Sequence, residues 1–294
     1  MSARSCPVVE SLKATTVPVM ELRHVVTSLL PMMLLLLSPL RAAPPLDQPL
    51  GPGVSLPMRD ANAAKITTQA VSSPEFWSTA SVSSYDDEQY DQLRLRPLDA
   101  GYFTLITGEG GADYSHEVVV NTAYRYQDRL PAIEDSALAV TILGEGIDPI
   151  SSLPYVDTLF FLDFALFYGI YIQRSYRLDV DERTFVFFET LRPDYVDAAT
   201  WTRYQATLTA ARDGASLRWV FNRVIEIEEV YGTFIVEPGI DHTSRVSFLV
   251  RLHFGEQAGL VARLGSEMPA VLKVGLQSGF KNCVRIAGDA QRAK

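Results

Sequence analysis

The sequence predicts an α+β fold in which a curved, mainly antiparallel sheet wraps a long C-terminal helix. Aromatic and β-branched runs follow one another between residues 102 and 190 with short connections, as consecutive antiparallel strands do. Residues 245–254 alternate apolar and polar side chains, with Leu249 as the exception, which is the period of a strand buried on one face. Residues 267–286 repeat apolar side chains at helical spacing and predict an amphipathic helix that needs an apolar surface to lie on.

Composition allows a sizeable core and argues against a nucleic-acid partner. The chain has 294 residues, of which 47% are hydrophobic and 21% charged. Asp and Glu outnumber Lys and Arg by 35 to 26, whereas a phosphate backbone attracts the opposite balance. The two cysteines are Cys6 and Cys283. Because Cys6 precedes the export segment described next, we expect no intramolecular disulfide in the mature chain.

An apolar run near the N-terminus predicts export. Arg23 precedes the run at residues 25–37, and small residues follow it at Ala42 and beyond, which is the layout of a secretory signal peptide. The run is shorter than the roughly 20 residues that cross a bilayer, and Pro31 interrupts it. We expect residues 1–43 to be a signal peptide and the mature protein to be periplasmic or extracellular. An uncleaved membrane anchor is the alternative.

A Pro-rich stretch separates this segment from the predicted domain. Residues 44–74 contain Pro44-Pro45 and Gly51-Pro52-Gly53, a composition typical of a flexible tether. Pro74 lies close to the first turn of a predicted helix start. The folded domain is therefore expected to span residues 75–290.

The remaining elements follow from local signals. A helix is expected over residues 115–127, where acidic charge follows a Ser or Asp cap. A second alternating pattern runs from Trp219 to Glu228, and Gly232 then suggests a bulge or bend. Further strands are predicted over residues 102–107, 137–143, 158–168, 170–178 and 184–190.

Four stretches carry a resemblance to a known superfamily. Residues 108–118 resemble a strand-to-helix entry, and residues 126–138 resemble the segment that leads to the next strand. Residues 223–238 resemble a long strand pair with an internal Gly and a terminal Pro, and Met268-Pro269 resembles the opening of a proline-led final helix. In this order they resemble the START-related superfamily, also called the SRPBCC or helix-grip fold. The likeness covers most of residues 76–288.

The resemblance implies a fold and a class of ligand. In that superfamily a bent antiparallel sheet wraps the C-terminal helix and leaves an apolar cavity, in which members bind sterols, phospholipids, polyketides or other hydrophobic molecules. The polar stretch at residues 194–216 is an insertion relative to this pattern. The amphipathic strands and helix agree with such a cavity, because apolar faces that do not fully interdigitate leave a void.

Candidate ligand-binding residues lie on the predicted apolar faces. Arg223 breaks the alternation around it, so its cation would need a carboxylate or the polar head of a ligand, unless it reaches solvent. Asp163 is isolated in an apolar run and is the candidate partner. The candidates for lining the cavity, each of which could instead belong to a filled core, are Trp219, Phe221, Phe248, Val250, Leu272, Leu276 and Phe280.

Neither a metal site nor a catalytic centre is predicted, and no cofactor is expected. His116, His242 and His253 fall in different elements at spacings unsuited to a metal. Residues 108–111 are Gly-rich but lack the Lys-Ser/Thr that completes a phosphate-binding loop. We expect binding or transport of a hydrophobic small molecule or lipid, with transient membrane contact. The alternatives are a cyclase- or dehydrase-like enzyme on the same fold and an envelope interaction protein without a ligand.

Overall fold

One ten-stranded sheet organises the part of the chain that the structure describes. The structure is a computed structural model, and it describes residues 56–84, 92–99, 101–110, 116–125, 137–163, 168–216, 224–239 and 244–255. All of these belong to the unit Pro45–Lys294. The predicted signal segment, the first part of the predicted tether and the predicted C-terminal helix lie outside the described residues.

The strands are joined almost entirely by antiparallel pairing. In chain order they are β1 (Ser81–Ser84), β2 (Gln92–Pro97), β3 (Tyr102–Gly110), β4 (Ala137–Ile147), β5 (Pro154–Asp163), β6 (Tyr168–Val180), β7 (Arg183–Thr190), β8 (Val224–Glu226), β9 (Glu229–Pro238) and β10 (Ser244–His253). Their spatial order is β1-β2-β3-β10-β9-β7-β6-β5-β4, and β8 runs parallel to the start of β6. The α+β class and the curved antiparallel sheet are thus confirmed.

Three helices accompany the sheet among the described residues: α1 (Ala61–Ser72), α2 (His116–Tyr124) and α3 (Ala198–Ser216). Short 3-10 turns at Pro74–Trp77 and Pro193–Tyr195 follow α1 and precede α3. The predicted helix at residues 115–127 is therefore confirmed as α2 with a shorter span. The polar insertion after β7 folds mostly into α3.

Because side chains alternate along each strand, the sheet has two distinct faces. We call one the inner face and define it by the row Ile106, Phe248, Phe234 and Val186, which lie opposite one another on β3, β10, β9 and β7. The next row, Leu105, Leu249, Thr233 and Phe187, belongs to the opposite, outer face. The continuous register keeps this division across all four strands.

The outer face is covered by α1 and α3. Ala63, Ala70 and Val71 of α1 pack in one cluster with sheet residues that include Phe187 and Leu249. Tyr204 and Leu208 of α3 pack in another cluster, over the outer side of β5 and β6. On the inner face, α2 contributes an apolar cluster with Val186, Val236 and Val246. The sheet therefore carries helices on both sides.

The predicted tether is corrected at its C-terminal end. Residues 61–72 form α1 instead of flexible chain, and Asp60 caps the helix by accepting hydrogen bonds from the backbone N–H groups of Asn62 and Ala63. The small residues of α1 let the helix approach the sheet closely, and Ala63 and Ala70 are buried. Sequence reasoning missed the helix because Pro-rich sequence precedes it.

The same helix explains a second correction. The alternation over residues 245–254 predicts that Ser247 faces solvent, yet Ser247 and Leu249 are both buried. Leu249 packs in the cluster to which α1 contributes, so the outer side of β10 is an interior surface. Leu249, the apolar exception among the polar positions of this strand, was the sequence signal that the outer side of β10 also packs against apolar residues.

Gly232 permits the close approach of β9 to β10. It pairs with Val250, and a Cβ atom at Gly232 would collide with the backbone carbonyl oxygen of Leu249. Its φ of +156° also disfavours a side chain. The register between β9 and β10 continues without a shift on both sides of this position, so the two central strands pair along their full length.

Candidate apolar ligand-binding face

Three phenylalanine rings meet on the inner face of the central strands. Phe234 of β9 and Phe248 of β10 are stacked, with ring centroids 4.2 Å apart and planes 14° apart. Phe188 of β7 lies 5.9 Å from the first ring and 6.0 Å from the second. Phe234 and Phe248 are only half-buried, although their strands lie in the middle of the sheet. We call these three residues the aromatic cluster.

Buried apolar residues extend the aromatic cluster towards β5 and β6. Phe160 and Tyr171 are paired across these strands and stacked, with centroids 5.2 Å apart and an angle of 12° between the rings. Burial raises the pKa of the Tyr171 hydroxyl. Val250 and Phe188 belong to the same apolar cluster, whose members all come from strands or from residues next to them. The inner face is thus largely apolar from β10 to β5.

A short line of uncharged polar residues crosses this surface. Thr158 of β5 lies opposite Gln173 of β6, and Ser175 follows two positions later on the same face. All three are buried, and the Gln173 amide donates a hydrogen bond of 2.9 Å to the Ser175 hydroxyl. Ser175 in turn lies opposite Phe188 of the aromatic cluster. We call these three residues the polar seam.

Charged groups stand at the rim of the inner face, where α2 begins. Glu117 of α2 accepts two hydrogen bonds from Arg177 of β6, at 3.0 Å and 3.2 Å, and these bonds lower the pKa of Glu117. The His116 Nε2 atom lies 2.9 Å from the Thr184 hydroxyl, which donates to Asp179. Burial lowers the pKa of His116, and its buried Nδ1 atom has no hydrogen-bond partner among the described residues. These contacts fasten the start of α2 to the β6–β7 hairpin.

The buried charges of the sheet lie on the outer face instead. Arg174 donates to both carboxylate oxygens of Asp157 at 2.7 Å, and its guanidinium lies 3.9 Å from the centroid of the Tyr155 ring. Burial opposes the charge on Arg174, but the bonds to Asp157 outweigh it and raise the pKa of Arg174. Burial raises the pKa of Asp157, while bonds from Arg174 and the Tyr204 hydroxyl oppose that rise. The pair is satisfied within the protein.

Glu189 holds the chain that leads into α1. Its carboxylate accepts hydrogen bonds from the backbone N–H groups of Arg59 and Asp60 at 2.8 Å and 3.0 Å. It also accepts from the hydroxyl groups of Tyr176 and Tyr195 at 3.3 Å and 3.1 Å. Burial raises the pKa of Glu189, and these four bonds oppose the shift. Because its carboxylate accepts four hydrogen bonds from the protein, Glu189 has a structural role and is not a free reactive group.

The structure brings together two of the predicted ligand-binding residues. Phe248 and Val250 share the inner face of β10, as their alternation predicted. Asp163 ends β5, where its backbone pairs with Tyr168, and its side chain lies outside the described residues. The other candidates also lie outside the described residues, namely Trp219, Phe221, Arg223, Leu272, Leu276 and Phe280.

Sequence reasoning overlooked most of the inner-face site. Phe188 and Phe234 lie in strands that were predicted, but their position beside Phe248 depends on the pairing of β7, β9 and β10, which alternation within one strand does not show. Gln173 and Ser175 had a weaker signal, namely two uncharged polar residues at alternate positions on either side of Arg174, after an apolar and aromatic run. That Thr158 and Phe188 lie beside them became visible only through the pairing of β5, β6 and β7.

The described residues contain neither a metal-binding cluster nor a membrane-spanning helix. No group of three or more His, Cys, Asp or Glu side chains there is arranged to hold a metal ion. Within the same residues, no helix has both the length and the apolar character that a membrane crossing requires.

Comparison with known proteins gives likenesses at the level of structure. No family model and no curated protein sequence matches the chain. A STAR-related lipid transfer protein fragment from Xanthomonas axonopodis is 11% identical, with 73% of this chain and 99% of that chain covered and a TM-score of 0.47. Human StAR-related lipid transfer protein 5 is 6% identical, with coverages of 79% and 95% and a TM-score of 0.48.

A third similar structure is the lipid transfer and protein localization domain of human StarD13. It is 10% identical, with 71% of this chain and 87% of that chain covered and a TM-score of 0.45.

Proposed function

We propose that this protein binds a hydrophobic small molecule or lipid against the inner face of its sheet and carries it. The observation that carries the proposal is the incomplete burial of Phe234 and Phe248. Aromatic rings in the central strands of a large sheet are expected to be covered, and ligand contact would remove their remaining apolar surface from water. Each square ångström so buried contributes about 25 cal/mol.

The distribution of charge supports the same proposal. The buried ionic groups that the structure describes on the sheet, Asp157, Arg174 and Glu189, lie on the outer face and are bonded to protein partners. Within the described part of the chain, the aromatic cluster therefore has apolar surroundings, and an apolar ligand there desolvates none of these three charged groups. The proteins with similar structures include ones whose names describe lipid transfer.

Export belongs to the proposal as well. A signal peptide at residues 1–43 would place the binding domain in the periplasm or outside the cell, where an apolar molecule needs a carrier through water. Cell fractionation with N-terminal sequencing of the mature chain tests this part. A chain retained in the cytoplasm with residue 1 intact would contradict it.

Titration of the purified full-length chain with diphenylhexatriene, an uncharged hydrocarbon probe whose fluorescence rises in apolar sites, tests binding directly. Combining Phe234→Leu with Phe248→Leu removes the stacked pair. We expect binding to weaken about tenfold, equivalent to ~1.4 kcal/mol of lost apolar contact.

A matched control lies on the opposite face. Phe185 and Phe187 of β7 are also stacked, with centroids 5.6 Å apart, and are fully buried on the outer face. Changing both of these to Leu should lower stability but leave the affinity of the folded protein unchanged. Equal losses of affinity in the two variants, or no binding by the unaltered chain, would refute the proposed site.

A further inference from the structure

The buried polar groups of the two sheet faces differ in charge. On the outer face, the described groups include Asp157, Arg174 and Glu189. On the inner face, the polar seam consists of Thr158, Gln173 and Ser175, and none of these side chains ionises. Arg177 also belongs to the inner side, but it is half-buried at the rim and paired with Glu117 and Asp179.

The polar seam retains hydrogen-bonding capacity. Among the described residues, the Gln173 side chain makes one hydrogen bond, from its amide nitrogen to Ser175. A carboxamide offers two N–H donors and an oxygen acceptor, so one donor and the oxygen remain for another partner. Thr158, directly opposite on β5, adds a hydroxyl that can donate or accept.

The position of the seam links it to the apolar surface. Phe160 and Tyr171 precede or follow Thr158 and Gln173 by two positions on the same face, and Phe188 lies opposite Ser175. A molecule lying across the aromatic rings would therefore bring one end to the seam. A buried polar group of the ligand is tolerated there only if it is hydrogen-bonded, and a buried charge only if it is paired.

We propose that the polar seam selects ligands with an uncharged hydroxyl or carbonyl head, and that Gln173 is the residue that binds this head. The inference rests on the proposed function and adds the chemical class of the ligand to it. An ionised head at the same place would be desolvated beside neutral side chains. Such a ligand should bind more weakly than its uncharged counterpart of equal length.

Three fluorescent probes separate these outcomes: cis-parinaric acid, the corresponding alcohol and diphenylhexatriene. The first two share one polyene chain and differ in a head that is ionised in the acid at about pH 8 and neutral in the alcohol. We expect the full-length chain to bind the alcohol at least about tenfold more tightly than the acid, because the acid loses hydration without gaining a counter-charge.

Two glutamine variants localise the effect. Gln173 on the inner face and Gln92 on the outer face are equally buried, each with 8% of its surface exposed. Gln173→Leu should weaken binding of the alcohol about fivefold, the equivalent of one lost neutral hydrogen bond, and leave diphenylhexatriene binding unchanged. Gln92→Leu should change neither affinity.

The outcomes distinguish this inference from the function on which it rests. If diphenylhexatriene binds but the acid binds as tightly as the alcohol, the selection for uncharged heads is wrong and apolar binding stands. The role of Gln173 is also wrong if both glutamine variants bind the alcohol like the unaltered chain. If none of the three probes binds, the proposed function itself fails.

Discussion

Arg174 and Asp157 show how strongly the outer face depends on the presence of both members of a buried pair. Their side chains are 1% and 0% exposed, and each is the main partner of the other's charge. A buried ion pair contributes little net stability compared with apolar residues of the same size, but the loss of one partner leaves an uncompensated charge. The pair therefore favours the register in which Asp157 of β5 lies opposite Arg174 of β6.

Replacing Arg174 by Met should lower the free energy of unfolding by about 3–5 kcal/mol, because Asp157 would remain buried without its cation. Urea denaturation measures the change. Arg177→Gln provides the control, since that half-buried pair with Glu117 should be worth less than ~1 kcal/mol. Adding Asp157→Leu to Arg174→Met should recover most of the loss. Equal effects of Arg174→Met and Arg177→Gln would contradict the role given to the buried pair.

His116 should make stability depend on pH near neutrality. Burial lowers the pKa of His116, so the folded protein favours the neutral imidazole. The unfolded chain, with a pKa of about 6.5, takes up the proton more readily. The free-energy contribution is therefore complete above about pH 6.5 and is lost as pH falls below it.

The neighbouring charges titrate elsewhere, which makes the His116 effect separable. Glu117, whose pKa is lowered, loses its contribution only at more acidic pH, and Arg177 stays protonated. Urea midpoints measured between about pH 7.5 and pH 5.5 should fall more steeply for the unaltered chain than for His116→Gln. Parallel slopes would show that His116 is not the titrating group.

At the scale of elements, α1 depends on a carboxylate from the sheet. Glu189 of β7 accepts hydrogen bonds from the two backbone N–H groups that lead into this helix, while Asp60 caps the helix and pairs with Arg192. These polar contacts hold the N-terminus of α1 against the sheet. The buried face of α1 covers the outer side of β9 and β10.

Glu189→Gln should loosen α1 specifically. A neutral amide replaces one acceptor oxygen by a donor, so at least one backbone N–H group loses its partner at a cost of about 1–3 kcal/mol. Hydrogen exchange should accelerate in α1 while β5 and β6 keep their protection. Glu237→Gln, at a half-buried position of β9, is the control and should leave the exchange of α1 unchanged. Uniform acceleration throughout the sheet would contradict a local fastening role.

The elements also show where sequence reasoning succeeds. The strands at residues 102–110, 183–190 and 244–253 were found because alternating or β-branched residues reveal a pleated, buried surface. Helix α1 was missed because Pro-rich sequence before it resembles a tether, and because its stabilising contacts come from distant Glu189 and Leu249. Tertiary contacts of this kind leave no local pattern.

The candidate site was predictable only in part for the same reason. Phe248 and Val250 follow from alternation within one strand. The polar seam joins Thr158 to Gln173 across two strands, so it depends on a register that composition does not determine. The sequence does not indicate the partners of Asp157 and Glu189, which only the packing of the outer face shows.

At the scale of the whole molecule, the two faces of the sheet differ in how they are covered and in the polar groups that they contain. Its outer face is covered by α1 and α3 and contains the buried ionic contacts that stabilise the fold. Its inner face presents half-buried aromatic rings beside neutral polar groups. Incomplete burial of Phe234 and Phe248 is compatible with a stable fold, because the ion pair of Arg174 and Asp157 and the contacts of α1 and α3 lie on the outer face.

Photo-crosslinking measures where a ligand lies. The purified full-length chain would be irradiated with a long-chain alcohol that carries a diazirine, and the labelled peptides identified by mass spectrometry. We expect the labels to concentrate on inner-face residues of β9 and β10, around Phe234 and Phe248, and to be displaced by excess unlabelled alcohol. Labels confined to exposed Ile147 and Ile150, or labels that excess alcohol does not displace, would contradict an internal ligand on this face.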